Sequence, residues 1–392
     1  MRRIRYIILI FLCFFVSCLP PKKLAVKNFK LIPPKKWPRL SRPKDVLSFR
    51  QALHRSLNFY ERLPLDYGFF IDGNYYSIKE IKEGLLIFSD CLNQADWPNC
   101  LKERFDLYQS RGMDGKGKVL FTGYYEPVLE GSLTPSNVYR YPIYRLPDEW
   151  VKIDLRVFDE TLPNRVLIGM IKGHKVLPFY TREEIDYQKK LAGKGYEIFW
   201  VKDPVELFFL HIQGSGVIKL EDGRRFNVHY CGSNGHRYQS IGKVLADLNL
   251  LNDVNGNNIK AFLKNHPEIL HKIFSYNKSY VFFEIAEDGP IGSIGEVLTP
   301  KYSIATDPSI FPRGALAYIV TEEPVVDEQG EILRWQKFQS FVLNQDTGGA
   351  IKGPGRVDVF FGRGKIAEIK AGYMLREGKI YLLLKKKRYN FH

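Results

Sequence analysis

The stretch Gln345-Asp346-Thr347-Gly348-Gly349-Ala350-Ile351-Lys352-Gly353, followed by Arg356-Val357-Asp358-Val359-Phe360, restricts the possible folds more than any other part of the chain. Two aspartates sit twelve residues apart, around a glycine-rich bend and inside an otherwise apolar strand pattern. Gly348 and Gly349 are suited to positive φ and to close approach of a ligand. Asp358 interrupts Val357, Val359, Phe360 and Phe361. A carboxylate in that company is paired, open to a cleft, or protonated by desolvation. The last two describe a general acid; a strand-end aspartate on the solvent face is the plainer alternative.

The 392 residues are enough for two domains or one large one. Arg2, Arg3 and Arg5 precede the apolar run 6–16, which ends at Ser17-Cys18. This is the layout of a secretory signal over residues 1–17, and the run is too short to span a bilayer. Its removal lowers the formal charge from +15 to +12. A basic exported chain points to a polyanionic wall polymer or an acidic membrane surface, not to nucleic acid. After cleavage, an oxidising compartment permits Cys91 and Cys100 to pair and leaves Cys231 free. There is no CxxC, HExxH or comparable cluster, so neither a metal site nor a cofactor is expected.

Residues 18–43 are rich in proline and lysine and read as a tether after the signal. Residues 46–62 have amphipathic helical spacing. Residues 78–110 repeat it more loosely, with Trp97-Pro98 as a break. From Lys118 the texture turns to strands, including 119–127 and 141–147. Residues 205–212 are a buried run with 217–220 as its hairpin partner. Helices are expected near 240–248 and 259–275, then a strand at 281–285. Strands alternating with turns run from Val297 to the basic tail. The class is α+β, mainly β.

Phe15-Val16-Ser17-Cys18 resembles a bacterial lipobox, although Phe15 stands where leucine is usual. That resemblance implies acylation at Cys18, and Leu19 after it implies the outer membrane. Phe121-Thr-Gly-Tyr-Tyr-Glu-Pro127, His211-Ile-Gln-Gly-Ser-Gly216, the run 230–245 and Gln345–Gly353 together resemble the membrane-bound lytic murein transglycosylases of the A type. The likeness covers roughly residues 118–384. It implies a double-psi β-barrel built from 44–126 and 290–392, with helices at its start. It also implies an inserted β-rich substrate-binding domain over 127–289 and a glycan groove between the two. The C-terminal part resembles a three-aspartate domain, here Asp307, Asp346 and Asp358.

By this resemblance Asp358 is the catalytic acid, with Asp346 beside it and Asp307 and Thr122 in support. Tyr124, Tyr125, Gln213, Gly214, Ser215, Asn234, Gly348, Gly349 and Lys352 would line the groove. Flat rings suit sugar faces, and the 213–216 turn would offer backbone amides to N-acetyl groups; core packing and a plain glycine turn are the competing readings. Lys243 reads equally as a solvated helix face. His211 and His236 are expected to be hydrogen-bonded structural residues, because the reaction needs no imidazole. Glu206 is the reserve acid. The implied reaction cleaves the bond between N-acetylmuramic acid and N-acetylglucosamine, with an anhydro product end. The implied partners are glycan strands, the membrane and proteins of wall synthesis, for a monomeric enzyme. A water-using hydrolase and a non-catalytic wall-binding lipoprotein are the rivals.

Overall fold

A computed structural model describes residues 27–387, so the signal segment and Cys18 lie outside the described residues. Six strands close on themselves into a barrel. In chain order they are β1 (Val119–Glu126), β2 (Ser303–Ala305), β3 (Leu316–Val326), β4 (Ile332–Asp346), β5 (Arg356–Arg363) and β6 (Leu375–Lys385). Around the barrel the order is β6, β3, β4, β2, β5, β1 and back to β6. Two pairs are parallel, β1 with β5 and β2 with β4; the other four are antiparallel. Closure leaves no free edge within the barrel. β1 precedes the inserted region and the other five strands follow it, so the insert leaves and re-enters at one end of the barrel.

One continuous core takes in Phe121, Val357, Val359 and Leu382 and, on the opposite strand face, Tyr318 and Phe341. Helix Val46–Glu61, with Asp45 as its N-cap, and helix Ile78–Leu92, with a Ser77/Glu80 capping box, cover it through Phe49 and Phe88. Buried Gln345 donates to Ala52 O and Ser56 Oγ, tying the first helix to the end of β4. Cys91 and Cys100 form a disulfide.

Several expectations need correction. The proline-rich stretch is not all tether: Phe29–Ile32 pairs with Phe105–Ser110, which itself pairs with β6. Burial of Phe29 and Ile32 holds it there. Trp97-Pro98 opens a short helix, Trp97–Arg104, because proline suits the first turn, and 105–110 is strand. The apolar run at 205–212 is helix Pro204–Gln213, capped by Asp203 and ended by Gly214 at φ 79°. A short all-apolar run carries no period, and the Asp-Pro and Gly punctuation was the usable signal. Ser215–Leu220 therefore pairs instead with Arg225–Ser233 and, in parallel, with Val128–Ser132. A helix at Lys365–Tyr373 stands where only strands were expected.

The inserted region carries a six-stranded sheet around Leu129, Phe199, Ile218 and Phe283. A three-stranded arm (Trp150–Asp154, Val166–Lys172, Lys175–Pro178) and helices that include Pro204–Gln213, Ile241–Asp247, Gly256–Asn265 and Leu270–Tyr276 complete it.

Candidate active site

The register of four barrel strands creates the site. Thr122 of β1 lies opposite Asp358 of β5; Asp358 lies opposite Ala305 of β2; and Ala305 lies opposite Asp346 of β4. Paired residues share a face, so Thr122, Asp358, Ala305 and Asp346 form one row across the sheet. Ala305 is the small member, which leaves room between the two carboxylates. Two residues further along their strands, Tyr124 and Phe360 lie opposite each other and pack together, rings 5.2 Å apart. With Leu298 and Ala305 they form a small apolar cluster separate from the barrel core.

This alternation corrects the origin of the apolar wall. Val357 and Val359 point into the barrel core, because strand neighbours face opposite sides. Phe360 and Tyr124 supply the wall beside Asp358.

Asp358 and Asp346 are both enclosed by protein yet keep an accessible edge. Burial pushes the Asp358 carboxyl up to about 6; Thr122 and the Arg356 guanidinium pull it down, and Asp346 pushes it up further. Asp358 Oδ1 has no hydrogen-bond partner among the described residues. Burial likewise raises Asp346 to about 6, against the amides of Thr347 and Ser293, the Tyr124 hydroxyl and Arg313. The Ser293 and Thr347 amides donate to Asp346 Oδ1 at 3.0 and 2.8 Å. Amide donors favour a carboxylate, whereas a bare oxygen favours the acid form. Asp358 is thus the better proton donor and Asp346 the better standing charge. Burial and the two aspartates raise the Tyr124 phenol well above its usual range, so it remains a neutral donor.

Asp307 plays a different part. Its Oδ1 accepts from the Ser309 hydroxyl and amide at 2.6 and 3.0 Å, and its Oδ2 from the Gly353 amide at 2.7 Å. Burial acts to raise its carboxyl, but these donors and the Lys352 charge outweigh it and hold the group low. Asp307 pins the loop between β4 and β5. The positive φ expected at Gly348 and Gly349 occurs instead at Gly353 (φ 83°). Gly349 faces open space, and Lys352 is exposed.

The groove residues divide. Gln213 Oε1 accepts the Tyr125 amide at 3.0 Å, joining the end of an inserted helix to β1. A cavity of about 230 Å³ opens there, lined by Thr122, Tyr125, Gln213, Tyr238 and Lys260 among others. The Tyr125 hydroxyl donates to Glu368 at 3.4 Å and accepts from Lys260 at the same distance. Gly214 offers neither backbone group, for its amide caps the helix at Leu210 O and its carbonyl accepts from Tyr230 N. Ser215 is half-buried at the start of its strand. Asn234 is not a groove residue: its amide donates to Tyr180 O and Lys278 O and its oxygen accepts Tyr280 N, all at 2.8 Å. It is buried and welds three segments of the insert.

Glu206, the reserve acid, is held by Lys260 and Lys264, each at 2.5 Å. His236 bonds Phe179 O, as a structural histidine should. His211 is structural by packing, edge-on to Tyr280 with both nitrogens unpartnered among the described residues; burial, aided by the Arg182 charge, keeps it neutral. Lys243 is exposed. Sequence reasoning overlooked Arg356, which shares the face of Asp358 and whose Nη2 reaches Thr122 Oγ1 at 3.4 Å. The two-residue spacing was the available signal.

The MltA specific insert domain matches residues 120–284, and the 3D domain matches 302–384. Membrane-bound lytic murein transglycosylase A of Vibrio cholerae is 32% identical over 281 residues, 70% of this chain and 68% of that protein. The chain belongs to the membrane-bound lytic murein transglycosylase A family. The Escherichia coli member is 31% identical over 294 residues, 74% of this chain and 72% of its own. Among solved members of the family, a membrane-bound lytic murein transglycosylase from Agrobacterium tumefaciens has a TM-score of 0.71 at 27% identity, covering 88% of this chain and 97% of its own. E. coli MltA with bound chitohexaose also gives 0.71, at 26% identity, covering 92% and 95%.

Proposed function

We propose that this chain is a lytic transglycosylase that cleaves the β-1,4 bond between N-acetylmuramic acid and N-acetylglucosamine in peptidoglycan. The observation that carries the reading is Asp358: raised to about 6, with one carboxylate oxygen bare, while Asp346 in the same row accepts two backbone amides. About a tenth of Asp358 molecules carry the proton at pH 7. The acid gives that proton to the bridging oxygen as the C1–O bond breaks. The muramic acid C6 hydroxyl then closes onto C1 and returns its proton to the Asp358 carboxylate. The products are a free 4-hydroxyl and a 1,6-anhydro end, with no net proton change and no water consumed. Asp346 stabilises the positive charge that develops on the sugar ring.

The insert, 127–289, serves as the substrate-binding wall, with Thr122, Gln213 and Tyr125 at its junction with the barrel. Family membership and the chitohexaose bound by the E. coli relative support this reading. Ser215, Gly348, Gly349 and Lys352 are proposed only as rim contacts. The proposed location, from the export signal and the lipobox resemblance at Cys18, is the periplasmic face of the outer membrane, as a monomeric lipoprotein with proteins of wall synthesis as neighbours.

Mass spectrometry of products from purified peptidoglycan, with wild type beside Asp358→Asn, tests this. Anhydro-muropeptides from wild type and at least a hundredfold fewer from the variant are expected. Reducing ends would make the protein a hydrolase, and intact glycan with retained binding would make it a wall-binding lipoprotein.

A further inference from the structure

A hairpin formed by Gly68–Ile71 and Asn74–Ser77 carries aromatic rings on both faces. Tyr76 and Ile71 are buried and fix it to the barrel's helical cover. Phe70 is 75% exposed and lies opposite Tyr75, their rings 5.2 Å apart; Tyr67 and Leu65 are 58% and 55% exposed nearby in sequence. Such a ring cluster in water marks a contact surface.

Both ends of the described chain arrive at this hairpin. Lys27 Nζ lies 3.7 Å from Asp72 at its turn. Lys387 Nζ lies 5.0 Å from the Tyr76 ring and 3.3 Å from Glu80. The two ends are basic: residues 19–44 contain nine Lys and Arg and no acid, and residues 385–388 are all Lys or Arg. The nine residue steps from Cys18 to Lys27 span at most about 30 Å, so an acyl anchor at Cys18 would hold the hairpin within that reach of the bilayer.

We propose that the hairpin seats on a lipid bilayer with anionic headgroups, its rings in the headgroup layer and Lys27 and Lys387 beside it against the phosphates. Amphipathic rings favour that layer, and lysines beside it add electrostatic attraction. This contact turns a loose tether into a fixed orientation. The inference rests on the exported, membrane-anchored reading and not on the chemistry of Asp358.

The test uses the mature chain, residues 18–392, with Cys18→Ser so that no acyl chain contributes. Co-sedimentation is measured with phosphatidylcholine vesicles, with and without phosphatidylglycerol. Binding is expected only with the anionic lipid, and Phe70→Ser with Tyr75→Ser should weaken it about tenfold. Leu47→Ser, on the exposed face of the helix Val46–Glu61, should leave it unchanged. Peptidoglycan cleavage in solution should be the same for all three variants. Three results would overturn the proposal: no binding, binding unaffected by the hairpin changes, or binding lost with Leu47→Ser instead. Loss of cleavage by the parent chain would count against the enzymatic reading alone.

Discussion

Replacing Asp346 with asparagine tests whether the two aspartates titrate as a pair. They sit in one row, two strands apart, at a Cα separation of about 10 Å from the usual strand spacing. At an effective dielectric of about 20, two charges at that distance repel by roughly 1.7 kcal/mol, near one pKa unit. Asp346 is the last of the causes acting on Asp358, so one unit is the ceiling. Removing the charge lowers the pKa of Asp358 from about 6, and the alkaline limb of the pH–rate profile should move down with it. At pH 7 the active acid fraction, and with it kcat/KM, should fall by up to about tenfold; near pH 4.5 the loss should be less than about threefold. The assay is release of anhydro-muropeptides from solubilised glycan between pH 4 and 8. An unmoved alkaline limb, or the same loss at every pH, would refute the paired titration.

Further consequences can be measured on the same protein. Asp358 has a raised folded pKa, so its contribution to stability is full below about pH 4 and is lost as pH rises through about 6. Asp358→Asn should therefore gain up to about 3 kcal/mol at pH 8 and nothing at pH 3.5 in urea unfolding; equal stability at both pH values would refute the raised pKa. Asn234→Ala removes four side-chain hydrogen bonds to backbone and should cost about 2–4 kcal/mol, with KM of the folded fraction unchanged; a raised KM would restore Asn234 to the groove. Reducing Cys91–Cys100, nine residues apart, should destabilise the helical cover by about 2–3 kcal/mol, read as a lower Tm.

The sequence alone determined the local decisions. Asp45, Ser77 with Glu80, and Ser240 each start a helix where the chain says so, because caps act over three residues. It also singled out Asp346 and Asp358, because a carboxylate inside an apolar strand is costly enough to need a reason. Tertiary structure decided what those residues do. Only strand pairing sets Asp358 beside Thr122 and two strands from Asp346, and only the alternation of faces turns Val357 and Val359 inward and leaves Phe360 and Tyr124 at the site. Asn234 reads as a polar loop residue until the chain folds Tyr180, Lys278 and Tyr280 around it. Composition and spacing report on neighbours along the chain. The pKa of an acid and the burial of a ring depend on neighbours in space, brought together across more than two hundred residues by the closed barrel.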